Sequence, residues 1–359
     1  MLETIIDHKI LEDFFINKKP EKKENDNDEK KEKLEEELEI WDSFEKFLKK
    51  GTSLQIANTP KKETPFYFQK FTSGMDDNKT FKRITFNKPK NNKFPAKTKP
   101  ETLFFLFEKD EKEKKKYLKN NGYFIAFKDN YLSKWKDLSF HKKEKQLQLL
   151  KNKTEYEKFW KDFTKSLLPL TDIIIIDNYL FADINLVEPN LIKIFECIFK
   201  ICGNTTLNLL IITSGNDKNI DQKFWSKQTE AGINEVEKNK LENIGCFLER
   251  LFQEFGYNKK IKFGIVFTNI KHARHVFMNY LRFKSDDSLT FFNENKTLKT
   301  KEAEIEFFPY VDYVQEYYIK SQNILVGIKK NIEKINKGQK HHYGNINNNL
   351  LINVKTITC

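Results

Sequence analysis

The most informative segment of the 359-residue chain is Asp172-Ile-Ile-Ile-Ile-Asp177, a run of four isoleucines between two carboxylates. An uninterrupted β-branched run is typical of a strand covered on both faces, because a half-exposed strand would alternate apolar and polar residues. Apolar residues at helical spacing follow between positions 191 and 202, and Gly203 supplies a helix stop. The segment therefore predicts a buried strand followed by a covering helix.

The same alternation continues along the chain. Residues 207–213 predict a second buried strand, residues 241–255 a second amphipathic helix and residues 260–268 a third strand. Strands that alternate with helices indicate right-handed βαβ units and a parallel sheet covered by helices. The predicted fold class is α/β, with a mainly parallel sheet flanked by helices and an amino-terminal α+β region.

Composition divides the chain into four regions. Residues 1–50 are acidic and predicted to be helical with a charged linker, and residues 51–153 are predicted to form a basic α+β region. Residues 154–338 are predicted to be the α/β domain, whose first helix starts with the capping box Thr154-x-x-Glu157. Residues 339–359 are predicted to be a tail.

The charge of the chain is unevenly distributed. The formal net charge is +12, and residues 1–50 contribute −5 of it, with 11 Lys against 16 acidic residues, so the remainder carries +17. Such asymmetry favours a polyanionic partner, either nucleic acid or an acidic lipid surface. The alternative explanation is the Lys- and Asn-rich usage of an AT-rich genome.

A basic segment at residues 79–99 interleaves lysines with aromatic residues. This pattern is able to hold a phosphate backbone and stack bases, but it also fits an edge strand with a solvated face. The candidate nucleic-acid-binding residues are Lys82, Arg83, Lys88, Lys90 and Lys93.

The sequence predicts neither a membrane span nor a bound cofactor. No stretch approaches the roughly 20 apolar residues of a membrane-spanning helix, and Glu3 and Asp7 stand where a secretory signal would be basic and apolar, so we expect a cytoplasmic protein. The four cysteines form no CxxC pair, and the adjacent His341 and His342 do not define a metal site. No metal or other cofactor is predicted.

Polar residues follow the first and third predicted strands, where the active groups of an open α/β sheet lie. Asp177 ends the first strand, and His272, Arg274 and His275 follow the third. Guanidinium offers a fork of donors to phosphate, and imidazole can attack phosphorus or move a proton. The alternatives are a histidine that caps a strand end, an arginine in a local ion pair, and an Asp177 that binds backbone amides rather than an imidazole or a cation.

Residues 172–292 resemble the phospholipase-D-like domain at the carboxyl terminus of MIT-domain proteins and its relatives in bacterial conflict systems. The resemblance rests on Asp177-x-Tyr179, the strand at residues 209–214 and His272-x-Arg274. The HxKxxxxD pattern of the phospholipase D superfamily matches His272, Arg274 and Asn279, with Arg in place of Lys and Asn in place of Asp.

The chemistry of the phospholipase D superfamily implies a metal-independent phosphodiesterase, whereas the MIT-associated domains are known as dimeric lipid-binding modules, so the resemblance alone does not supply an activity. The leading hypothesis is a nuclease-type effector of a prokaryotic defence system. His272 would be the nucleophile, Arg274 would clamp the phosphate, Asn279 would support it and Asp177 would orient the site. Because the chemistry needs two histidines and the chain offers one such half, a homodimer is implied. Ala273 stands where the MIT-associated group usually has Asp, a change that fits either a natural loss of activity or an engineered inactivation. The alternatives are a non-catalytic dimeric module that binds acidic lipids or a protein partner, and a subunit of a larger defence complex.

Overall fold

The structure, a computed structural model, describes residues 2–16, 19–21, 28–58, 71, 84–87, 99–107, 122–140, 146–149, 156–203, 205–225, 233–268, 274–299, 303–311, 316–336, 342–352 and 354. The chain forms two compact units. Unit 1 comprises residues 1–119, 123–144 and 309–319, and unit 2 comprises residues 120–122, 145–308 and 320–359.

Unit 1 contains a five-stranded sheet in the order β3-β2-β1-β4-β5, and all of its strands are parallel. The strands are β1 (Leu2–Asp7), β2 (Thr52–Ala57), β3 (Ile84–Asn87), β4 (Thr102–Leu106) and β5 (Phe124–Phe127). The helices are α1 (His8–Ile16), α2 (Asp28–Lys46, continued by a π-helical turn at Phe47–Gly51) and α3 (Tyr131–Phe140). The amino-terminal region is therefore α/β rather than the predicted α+β.

The first residues differ from the predicted helical segment. Leu2, Thr4 and Ile6 are fully buried in β1, the central strand of the sheet, and helix α1 starts only at His8. The described residues among positions 1–50 thus belong to unit 1, with a buried strand at its start, instead of forming a separate acidic region. Successive residues such as Ile5 and Ile6 are both buried, so both faces of β1 are covered, and β1 also pairs with a strand on each side.

Unit 2 contains an eight-stranded sheet in the order β13-β9-β8-β7-β10-β11-β12-β6. Its strands are β6 (Gln146–Leu149), β7 (Asp172–Ile176), β8 (Leu207–Thr213), β9 (Ile261–Phe267), β10 (His275–Met278), β11 (Leu281–Ser285), β12 (Ala303–Pro309) and β13 (His342–Gly344). β7, β8 and β9 are mutually parallel, and β10 and β13 pair antiparallel on either side of them. The three predicted buried strands are thus the parallel centre of the sheet.

Helices cover both faces of this sheet. They are α4 (Tyr156–Ser166), α5 (Lys193–Cys202), α6 (Ile233–Glu254), α7 (Glu316–Asn336) and the short α8 (Asn349–Ile352). One face, which includes Ile174, Ile176 and Phe277, packs against α7 and α8, and the ring of Phe163 in α4 contacts Phe283 on the other. The chain is a mixed α/β protein with parallel strands flanked by helices, which confirms the predicted fold class.

The predicted carboxy-terminal tail is part of unit 2 wherever it is described. Asn348 donates from Nδ2 to the carbonyl oxygens of Ile173 at 3.1 Å and Asn208 at 3.0 Å, and the amide of Asn349 donates to Asp172 at 3.1 Å. Asn348 and Asn349 therefore attach this segment to the sheet near the amino ends of β7 and β8.

Candidate functional site

The candidate site lies at the carboxyl ends of β7 and β8, where β10 begins. In the antiparallel pair of β7 and β10, His275 lies opposite Ile176, so the next positions outward on the two strands are Arg274 and Asp177. Side chains at directly opposite positions project from the same face of a sheet. The strand register therefore brings together two of the residues that the sequence singled out.

Two further residues extend this arrangement. The amide of Asp177 donates to the carbonyl of Ile212 at 3.1 Å, which continues the β7–β8 ladder and places Thr213 beside Asp177. The amide of Ser285 donates to the carbonyl of Arg274 at 3.1 Å, which continues the β10–β11 ladder. Thr213, Asp177, Arg274 and Ser285 thus occupy neighbouring positions across four strands, and we call them the edge row.

Asp177 is completely buried and accepts three hydrogen bonds. Its Oδ1 accepts from the amide of Tyr179 at 2.9 Å, and its Oδ2 accepts from the hydroxyl of Ser288 at 2.6 Å and the amide of Leu289 at 2.7 Å. Burial raises the pKa of Asp177, and these bonds and the charge of Arg274 oppose that rise. Asp177 fixes the loop after β11 against the end of β7, which is the backbone-binding role that the sequence left open.

Arg274 is half-buried, and its guanidinium is only partly engaged by the described residues. Nη1 donates to the carbonyl of Asp286 at 2.5 Å, and the guanidinium carbon lies 5.6 Å from the ring centroid of Tyr179. Its Nε is buried and has no hydrogen-bond partner among the described residues. The carbonyl and the aromatic ring hold the side chain at the sheet edge and leave this donor unused there.

Asn279 does not join the site, in contrast to the prediction. Its Oδ1 accepts from the amides of Thr171 at 3.2 Å and Asp172 at 3.0 Å, and its Nδ2 donates to the Thr171 hydroxyl at 3.1 Å. Because β10 runs antiparallel to β7, the residue after β10 reaches the amino end of β7, the opposite end from Asp177. Asn279 therefore stabilises the start of β7 instead of supporting a phosphate beside Arg274.

Several predicted residues lie outside the part of the chain that the structure describes. These are His272, Ala273 and the basic residues Lys82, Arg83, Lys88, Lys90 and Lys93. Their roles remain predictions.

Thr213 and Ser288 were missed as site residues. Each has a weak signal in the sequence: Thr213 is the first polar residue after the apolar run of β8, and Ser288 lies in the polar stretch after β11. Hydroxyl residues are common at strand ends, so Thr213 and Ser214 at the end of β8 are a weaker sequence signal than the charged Asp177 and Arg274.

Within the described residues, no helix combines the length and apolar character needed to cross a membrane. The same residues contain no group of three or more His, Cys, Asp or Glu side chains arranged to hold a metal ion.

Comparison with known proteins gives little further information. No family model matches the sequence, and no curated protein matches it. Among solved structures, the chain is similar to the crystal structure of phosphatidylserine synthase from Haemophilus influenzae Rd KW20, with 14% identity and a TM-score of 0.29. The matched region covers 54% of this chain and 37% of that protein, so it spans little more than a third of the relative's length. A similarity of this size says nothing about the activity of the present chain.

Proposed function

We propose that the edge row of unit 2 binds the phosphodiester backbone of a nucleic acid. The observation that carries the proposal is the buried Nε of Arg274, a guanidinium donor to which no described residue binds, at the carboxyl edge of a helix-flanked sheet. An arginine fork matches the geometry of phosphate oxygens, and ligands of open α/β sheets bind at this edge.

The charge of the chain supports a polyanionic ligand. The sequence carries 64 Lys and Arg against 52 Asp and Glu, and the excess lies after residue 50. A basic protein attracts nucleic acid from a distance and raises the rate of encounter. The basic segment at residues 79–99 is proposed to contribute to this attraction.

Binding tests the proposal with a matched pair of arginines. Arg274→Ala is expected to weaken the affinity for a fluorescein-labelled oligonucleotide about tenfold to a hundredfold, since a hydrogen bond to a charged group contributes about 1.5–3 kcal/mol. Arg250→Ala makes the same charge change on the exposed part of α6 near its carboxyl end, away from the edge row, and is expected to bind like the wild type.

Equal affinities of the two variants would overturn the proposal. Binding to anionic lipid vesicles without binding to the oligonucleotide would overturn the choice of nucleic acid.

We further propose that the phosphodiester is a substrate for a nuclease-type reaction in a homodimer. The proposal extends the family resemblance, in which one His attacks phosphorus and a second His protonates the leaving oxygen. Metal-free cleavage is expected for Ala273→Asp and not for Ala273→Asp combined with His272→Ala. Inactivity of Ala273→Asp, or a monomeric mass in solution, would overturn the nuclease reaction and leave the binding site.

A further inference from the structure

Thr213 is an unusual residue for the end of a buried strand. It is 0% exposed, and its hydroxyl has no hydrogen-bond partner among the described residues, whereas the hydroxyl of Thr205, 2% exposed, donates to the carbonyl oxygen of Cys202 at 2.8 Å. A buried hydroxyl without a partner costs free energy of folding, so most native structures avoid it. The hydroxyl of Ser321 in α7 is a second such case, but that of Thr213 lies in the edge row.

The neighbouring polar groups are already engaged. All three hydrogen bonds described for Asp177 come from Tyr179, Ser288 and Leu289, and the hydroxyl of Ser214 accepts from the amide of Asn216 at 3.1 Å. The described hydrogen bonds of these neighbours go to other groups, and none of them involves the Thr213 hydroxyl.

The edge row places this hydroxyl and the free donor of Arg274 on either side of Asp177. Neighbouring strands lie about 4.8 Å apart, so Thr213 and Arg274, two strands apart, have backbones separated by about 10 Å. Hydrogen bonds of about 2.9 Å, added to the reach of the two side chains, allow both donors to approach one phosphate group. Asp177 lies between them in the edge row, and its carboxylate binds the loop after β11 through Ser288 and Leu289.

We propose that the hydroxyl of Thr213 donates to a phosphate oxygen of the bound phosphodiester, opposite Arg274. This inference rests on the proposed function and assigns a second binding residue to that site. Because Thr213 is fully covered, the loops after β7 and β8 have to separate when the ligand enters. The amide of Asp221 joins them by donating to the carbonyl of Phe181 at 2.8 Å.

Three threonine variants test the inference by oligonucleotide affinity and thermal melting. Thr213→Val keeps the shape and removes the unpartnered hydroxyl, so it is expected to melt at a higher temperature than the wild type and to bind about tenfold more weakly. Thr213→Ser retains the hydroxyl and is expected to bind more tightly than Thr213→Val. Thr205→Val removes a partnered hydroxyl and is expected to melt at a lower temperature with unchanged affinity.

The outcomes separate this inference from the proposed function. Unchanged affinity in Thr213→Val, with a loss in Arg274→Ala, would overturn the role of Thr213 and leave the phosphate site. A lower melting temperature in Thr213→Val would show that the hydroxyl is partnered within the fold and would also overturn it. No binding of the oligonucleotide by the wild-type chain would overturn both proposals.

Discussion

Residues that are adjacent in the edge row have different physical roles. Asp177 directs its carboxylate to one hydroxyl and two backbone amides, so it maintains the loop geometry. Among the described residues, the Nε of Arg274 and the hydroxyl of Thr213 have no hydrogen-bond partner. Other buried polar atoms, such as the hydroxyl of Ser321, also lack one, so the position of Arg274 and Thr213 at the carboxyl ends of the strands is what makes them candidates for binding.

Substitution of Asn279 tests whether this residue stabilises the start of β7 rather than binding a phosphate. Asn279→Ala removes the acceptor of two backbone amides, one of them buried, and is expected to lower the free energy of unfolding by about 3 kcal/mol in urea denaturation. Oligonucleotide affinity of the folded variant is expected to match that of the wild type. A loss of affinity equal to that of Arg274→Ala would place Asn279 in the site after all.

His275 provides a pH-dependent prediction. Burial, together with the charges of Arg282 and Lys284, lowers the pKa of His275 from 6.5 to about 4. Between these values the unfolded chain binds a proton that the folded chain does not, so stability falls as the pH falls from 6.5 to about 4. The full effect is at most about 3 kcal/mol. His275→Gln is expected to flatten this part of the stability profile; superimposable profiles for variant and wild type would contradict the assignment.

At the element scale, the sequence predicted best the segments whose burial is uniform. The run of β7 was predictable because all of its residues are buried, and α5 was predictable because its buried apolar residues recur at helical spacing. The first strand was missed because Leu2, Ile5 and Ile6 also fit a helical spacing, and only the neighbouring strands decide between the two. Likewise, the pairing of Thr213 with Asp177 depends on register, which a single sequence does not specify.

A pair of glycines tests how the carboxy-terminal segment is attached to unit 2. A Cβ at Gly264 would lie 2.4 Å from the carbonyl oxygen of Asn345, whereas a Cβ at Gly327 in α7 would meet no atom within 4 Å. Gly264→Ala is expected to lose about 3 kcal/mol of stability, and Gly327→Ala to gain up to about 1 kcal/mol. Chemical denaturation measures both. Equal stabilities of the two variants would show that the backbone at Asn345 does not pack against β9 as described.

At the scale of the whole molecule, each unit is organised around its own sheet, and the candidate donors belong to unit 2. The net positive charge acts over the whole chain and supplies attraction without specificity. The sequence could predict this attraction and the edge of the sheet where Asp177 and Arg274 meet. It could not predict which donors remain free, because that depends on every hydrogen bond formed around them.

The most direct test of the phosphate site is the salt dependence of oligonucleotide binding by the wild type and Arg274→Ala. For single strands, log K falls with log salt by about 0.7 for each neutralised phosphate. The account predicts weaker binding by Arg274→Ala and a slope smaller by about 0.7, with the slope of Arg250→Ala equal to that of the wild type. Identical slopes and affinities for Arg274→Ala and the wild type would contradict it.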